Sequence, residues 1–228
     1  IYAALSAIRQ TDIKRIVAYS SVSHMGVIVI GIFSFNAQGL EGSIIQQLSH
    51  GLVSGALFLC IGVVYDRFHT RLIKYYSGLA HTMPIFVVLF LIFTMANIAL
   101  PGTSSFVGEF LILVGAYQAN PALCFFGATG MIIGGGYALW MFNRMSFGNF
   151  KSQYLTHHQD LSKREFAFFL PLVVLTLVMG IYPDIFLGPI HVSANNLFNL
   201  STVLNSHPCS SLNVSLFFLS PNIYLFIN

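Results

Sequence analysis

Charge is what this chain has least of. Only 7% of its 228 residues are Asp, Glu, Lys or Arg, against about a quarter in an ordinary soluble domain. The hydrophobic share is 56% and the mean hydropathy +0.77. These values exclude a solvated globular surface and place the chain among multi-span membrane proteins, as one unit rather than two soluble domains. The net charge of +3 is too small and too scattered for a nucleic-acid footprint, so the expected surroundings are a lipid bilayer and no nucleic acid. Cysteine is also scarce. Cys60, Cys124 and Cys209 form neither a CxxC pair nor a disulfide framework, and the first two lie in apolar runs as packing residues. The chain opens on Ile1 rather than Met, and its first eight residues read as the end of an apolar helix, so an upstream segment is expected.

What is present is a set of apolar stretches, each long enough for a helical crossing of about 20 residues. They run roughly over 16–35, 40–65, 84–118, 121–142 and 166–183. The fold class they imply is all-α: a polytopic membrane helix bundle with about five complete transmembrane helices. The third stretch is too long for one straight helix and contains Pro101, which removes a backbone donor and clashes with the preceding turn. A helix broken near Pro101 is therefore expected. Three parts follow: 1–15 as the end of a preceding helix and a basic-side loop, 16–185 as a five-span membrane domain, and 186–228 as a C-terminal tail.

The distribution of cations tests this division. Arg9, Lys14 and Arg15 precede the first span, Arg67, Arg71 and Lys74 follow the second, and Arg144, Lys151, Lys163 and Arg164 follow the fourth. The segments expected on the other side (36–39, 119–120 and everything after Asp184) hold no Lys or Arg. Such asymmetry sets orientation, with the basic loops facing the cytoplasm or matrix and the tail lying opposite. The tail is rich in Asn, Ser and Leu. Its apolar run 212–227 is short and interrupted by Pro221, which suits an interface better than a crossing. Asn199-Leu-Ser201 and Asn213-Val-Ser215 match the glycosylation acceptor pattern, which Asn- and Ser-rich sequence produces by chance.

Glu109, His24 and His50 lie well inside the spans, whereas the other six acidic residues, Glu41 among them, lie at or near span ends. At about 1.5 Å per residue all three fall in the middle third of a core about 30 Å thick. A charge there costs roughly 2.5–3.5 kcal/mol, so an intramembrane carboxyl is a functional-site hypothesis by default. Glu109 also follows the helix-breaking run Leu100-Pro101-Gly102-Thr103-Ser104-Ser105, and such breaks survive only beside protein or a water-filled cavity. Imidazole gains and loses a proton near neutrality, and a buried carboxyl responds to its surroundings. Glu109, His50 and His24 are thus the parts of a proton relay. The bland alternative stays open: a buried histidine is ordinarily a hydrogen-bonded packing residue. The serines at 20, 21, 23, 49 and 54 either serve the rings or permit close helix packing. The glycines of 51–55, 108–115 and 127–136 read as packing residues.

Other chemistry is weakly represented. Gly134-Gly135-Gly136 follows no strand and is no nucleotide loop. His50 with Ser54 lacks the small-residue loop of an intramembrane serine nucleophile. His157-His158 is a polar loop pair, and no metal ligand set is assigned. Asp12 with Lys14 and Arg15, and Asp66 with Arg67 and Arg71, read as ion pairs and anchors at the membrane surface.

The run Arg9-Gln10-Thr11-Asp12-Ile13-Lys14-Arg15, continuing through Ala18-Tyr19-Ser20-Ser21-Val22-Ser23-His24-Met25, resembles the antiporter-like subunits of respiratory complex I, the NADH:ubiquinone oxidoreductase. Ser49-His50-Gly51-Leu52, Leu100-Pro101-Gly102, Phe106-Val107-Gly108-Glu109-Phe110 and Tyr65-Asp66-Arg67-Phe68-His69-Thr70-Arg71 extend the resemblance, which covers about residues 1–190. Glutamate at 109 is similar to the chain 4, or M, type. The sister types (chains 5 and 2) and the cation/proton antiporter relatives typically carry lysine there.

The resemblance implies the second of two inverted five-helix repeats, working as a proton half-channel. It implies that His24 and His50 belong to a central hydrophilic axis, and that Glu109 hands protons toward the non-basic side. It implies complex I partners: neighbouring membrane-arm subunits of the chain 5 and chain 2 types, and a chain or upstream segment supplying the first repeat. It implies no cofactor in this chain, with NAD, FMN, iron–sulfur clusters and ubiquinone held by other subunits, and residence in the mitochondrial inner membrane or, alternatively, the bacterial plasma membrane. A stand-alone cation/proton antiporter subunit and a non-pumping membrane scaffold are the competing readings.

Overall fold

The computed structural model describes residues 1–148 and 159–206. His157 and His158, Lys151, Cys209, the acceptor pattern at Asn213 and the run 212–227 lie outside the described residues. Among those described, the α-helices are α1 (Tyr2–Ile8), α2 (Ile13–Ile32), α3 (Ala37–Phe68), α4 (Leu79–Thr82), α5 (Pro84–Asn97), α6 (Ser104–Ala119), α7 (Pro121–Ser146), α8 (Lys163–Ile181) and α9 (Asp184–Ser206). Four of them, α2, α3, α7 and α8, are long and apolar enough to cross a membrane, and α5 with α6 forms the broken fifth span. The all-α expectation and the span count agree with this arrangement.

Helix starts follow local chemistry. The Asn36 side chain accepts from the Gly39 N–H at 2.7 Å and begins α3. Asn120 does the same for α7, accepting from Ala122 N–H at 2.9 Å ahead of Pro121. Ser162 and Glu165 form a reciprocal capping box at α8. The first turn of α5 is capped from a distance: the Asp160 carboxylate accepts from the N–H groups of Ile85 (2.9 Å) and Phe86 (3.2 Å).

These contacts gather basic residues of the described segments 9–15, 67–74 and 163–165 at one end of the bundle. Arg67, at the end of α3, donates to Glu165 at 2.8 Å and to the carbonyls of Gln159 and Asp160. Ile13 N–H donates to Arg71 O at 3.0 Å, and Ile73 N–H to Thr11 O at 3.0 Å. The surface ion pairs differ in part from expectation. Arg15 does reach Asp12, at 3.4 Å, but Arg67 pairs with Glu165 rather than Asp66, and Arg71 lies over the Tyr65 ring, 4.6 Å from its centroid. Adjacent positions 66 and 67 point to different faces of a helix, whereas the start of α8 lies beside Arg67. Arg67 holds the Glu165 carboxyl below the usual carboxylate range, ahead of the apolar part of α8.

The break between α5 and α6 is built from two standard turns. Ala99 adopts φ +62°, and Leu100 N–H reaches back to Met95 O at 3.1 Å, closing α5 in a Schellman motif. Leu100 O then accepts from Thr103 N–H at 3.0 Å across Pro101 and Gly102 (φ +92°), a turn with proline and glycine in the positions type II requires. Gly180 of α8 packs on this turn. The core is aromatic, with Tyr76, Phe86, Phe90, Phe93 and Phe169 fully buried. Phe125, Phe126, Ile132 and Phe168 are exposed on the flanks, as a lipid-facing surface needs.

Two expectations need amendment. The region read as a tail begins as the helix α9, which runs through Ser206 and packs against α3. The packing glycines are only partly such. Gly108 and Gly115 sit against α3, where an added Cβ would lie 2.6 Å from Gln46 Oε1 and from Gly39 Cα respectively. An added Cβ at Gly51, Gly55 or Gly136 would meet nothing within 4 Å among the described residues, so none of those uses their smallness.

Candidate proton-transfer site

The site forms where α2, α3 and α6 meet. The close approach of α3 and α6 at Gly108 sets the distance: with no Cβ there, α6 presses against the Gln46 backbone and brings Glu109, the next residue, within its reach. All the sequence-derived site residues are brought together. Glu109 is 4% exposed, His50 5% and His24 9%. His24 Nδ1 lies 2.9 Å from Glu109 Oε1, and Gln46 Nε2 donates to the same oxygen at 3.1 Å. The His50 ring stands beside His24, with centroids 5.3 Å apart and planes tilted by 38°.

The serines have other roles. Ser20 and Ser21 return their hydroxyls to Val17 O, at 2.8 and 3.2 Å, which is the usual outlet for serine inside a helix. Ser49 turns to the head of α6, donating to Ser104 Oγ at 2.7 Å and lying 2.9 Å from Ser105 Oγ. It fastens α3 to the first turn after the break rather than satisfying His50.

Chemically, the cluster is a carboxyl and an imidazole sharing one hydrogen bond, with a second imidazole alongside. A proton can reside on Glu109 or on His24 without the heavy atoms moving. Among the described residues, His24 Nε2 and Gln46 Oε1 are buried with no protein hydrogen-bond partner. Buried polar groups left over by the protein are where internal water binds, and each of these atoms can bond a water.

Gln46 was missed because an amide adds little to the polarity of an apolar span. Its signal is its place four residues before His50, on the same helical face. A second carboxyl–imidazole pair was missed too. Glu41 on α3 is 8% exposed, and its Oε1 is 2.6 Å from Nδ1 of His191 on α9. Glu41 looked like an end-of-segment residue. The Asn36 cap starts the helix before it and so places it inside, one turn further than hydropathy suggests.

Residues 1–134 match the family described as NADH:quinone oxidoreductase/Mrp antiporter, transmembrane. A curated relative in Chondrus crispus, NADH-ubiquinone oxidoreductase chain 4, is 58% identical over 200 residues, covering 88% of this chain and 41% of the relative. NADH-quinone oxidoreductase subunit M of Rhodobacter capsulatus is 48% identical over 208 residues, covering 89% and 41%. This chain thus spans about two fifths of the length of these relatives. Among solved structures, respiratory complex I from Thermus thermophilus contains a chain that superposes with a TM-score of 0.78 at 36% identity, covering 86% of this chain and 42% of that one. The Mrp complex from a Dietzia species shares the fold, with a TM-score of 0.80 at 22% identity over 90% and 46%.

Proposed function

Since the chain belongs to the NADH:quinone oxidoreductase/Mrp antiporter transmembrane family, we propose that it supplies a proton half-channel of a chain 4 type membrane-arm subunit of respiratory complex I. The observation that carries this reading is the buried contact of His24 Nδ1 with Glu109 Oε1 at 2.9 Å, set beside a helix break. A carboxyl and an imidazole inside an apolar span are costly to bury, and such intramembrane groups mark ion and proton paths by default.

Protons enter through His50 and His24 and pass to Glu109, which releases them toward the end without basic residues. NADH oxidation and quinone reduction occur in other subunits, where NAD, FMN, iron–sulfur clusters and ubiquinone reside. Their energy arrives as an electrostatic or conformational change that alters the proton affinity of Glu109. The neighbours are membrane-arm subunits of the chain 5 and chain 2 types. The membrane is the mitochondrial inner membrane with the basic loops in the matrix, in keeping with relatives at 54–58% identity named NADH-ubiquinone oxidoreductase chain 4.

The test is Glu109→Gln in the assembled complex in sealed vesicles, scoring protons moved per NADH oxidised. A lowered ratio with normal assembly is expected, and an unchanged ratio would overturn the reading.

A further inference from the structure

Glu41 and His191 repeat the His24–Glu109 arrangement closer to the start of α3. In each pair an imidazole Nδ1 meets a buried carboxyl Oε1, at 2.9 Å for the inner pair and 2.6 Å for the outer. Glu41 precedes Gln46, the Glu109 partner, by five residues, or about 7.5 Å along α3. It lies toward the end of the bundle that has no Lys or Arg. We propose that Glu41 and His191 form the proton-release station of the half-channel on this side, receiving the proton that leaves Glu109 and passing it to water. This rests on the function proposed above.

The geometry suits transfer from interior to solvent. The Glu41 side chain is 10% exposed and faces inward, while the His191 side chain is 60% exposed and reaches outward. Asn195 lies one turn beyond on α9, with its amide nitrogen 3.0 Å from His191 Nε2. An amide serves both protonation states of that ring. Its NH2 donates to an unprotonated Nε2, and turned by 180° its carbonyl accepts from a protonated one. The pair therefore alternates between net charge −1 (carboxylate and neutral imidazole) and 0 (one added proton). Only O–H and N–H bonds form or break, and every state keeps its hydrogen bonds. An anchor holding α9 to α3 needs only one of these states.

Among the described residues, no Lys or Arg lies at this end of the bundle. The other ionisable side chains among the described residues at this end are Asp184, seven residues or about 10 Å before His191 on α9, with Tyr117 closing α6 and Tyr182 following α8. On α2 and α3 the nearest are His24 and His50, which belong to the inner site.

The test compares Glu109→Gln, Glu41→Gln and His191→Ala in the assembled complex in vesicles, measuring protons moved per NADH oxidised and, by native gel, assembly. The His191→Ala measurement is repeated with imidazole supplied on the side opposite the basic loops. The expected result is that His191→Ala and Glu41→Gln assemble and lose the same share of pumping as Glu109→Gln, and that imidazole restores the His191→Ala loss. Normal pumping in His191→Ala, or a loss that imidazole does not restore, overturns the release station. If Glu41→Gln fails to assemble, the His191→Ala rescue still decides, since that ring is exposed. If Glu109→Gln pumps normally, the reading of the inner site fails. If Glu109→Gln is impaired while His191→Ala is normal, only the release station fails.

Discussion

Gly180 of α8 lies directly on the carbonyl of Gly102, so close that a Cβ at 180 would overlap that oxygen and stand 2.5 Å from the Thr103 carbonyl carbon. The broken helix is thus held from outside by a helix distant in sequence. Gly180→Ala has to displace backbone on one side or the other, at a cost of about 1–3 kcal/mol. We expect a lower melting temperature of the complex and reduced pumping, since the displaced turn leads into the helix carrying Glu109. Gly188→Ala, where an added Cβ meets nothing within 4 Å, is the matched control and should leave pumping unchanged and the melting temperature unchanged or slightly raised.

Ala99 carries the other strained conformation of the break, with φ +62°. A left-handed residue with a Cβ costs roughly 1–2 kcal/mol, and glycine is free of that cost at the price of a more flexible unfolded chain. Ala99→Gly should therefore be neutral or stabilising by up to about 1 kcal/mol, whereas the β-branched Ala99→Val should destabilise by about 1–3 kcal/mol. Thermal unfolding of the two variants checks the order. A more stable valine variant would mean that the left-handed turn is not what the molecule adopts.

Much of this architecture was legible beforehand. Pro101 and Gly102 announced the break because their backbone limits act locally, and the spans declared themselves by apolar length. Glu109, His24 and His50 stood out because any ionisable group inside an apolar run is conspicuous. Gln46, Glu41 and His191 did not stand out, for physical reasons. An amide changes hydropathy little, and Glu41 depends on a cap that moves the helix start by a few residues. His191 acquires meaning only when α9 folds back onto α3, and no local pattern encodes that contact. The same holds for Arg67, which chose Glu165 across 98 positions rather than its neighbour Asp66.

That Arg67–Glu165 contact gives a pH dependence of known sign. Arg67 depresses the Glu165 carboxyl below its ordinary value. A depressed folded-state value means that the contribution is complete above the ordinary carboxylate range and is lost as pH falls through the depressed value. Acidification below that range should lower the melting temperature of the complex, and Glu165→Gln should remove that part of the slope. The Glu165 side chain is 32% exposed, so raised salt should weaken the effect in part as well. A slope that is the same in both proteins would assign the acid sensitivity elsewhere.

Gln46 offers the sharpest division between packing and function at the inner site. Its backbone and Cβ pack on Gly108, while its amide nitrogen donates to Glu109 at 3.1 Å and its Oε1 is buried without a partner. Gln46→Met keeps length and volume and removes only the amide. If Gln46 were mere packing, methionine would be neutral or slightly stabilising, because it deletes an unpartnered buried oxygen. If the amide steadies the charged form of Glu109, the variant should assemble normally yet move fewer protons per NADH oxidised, since a hydrogen bond to a charged group is worth about 1.5–3 kcal/mol. The two readouts move independently under these alternatives. Unchanged pumping in a well-assembled Gln46→Met complex would remove Gln46 from the path and leave Glu109 served by His24 alone.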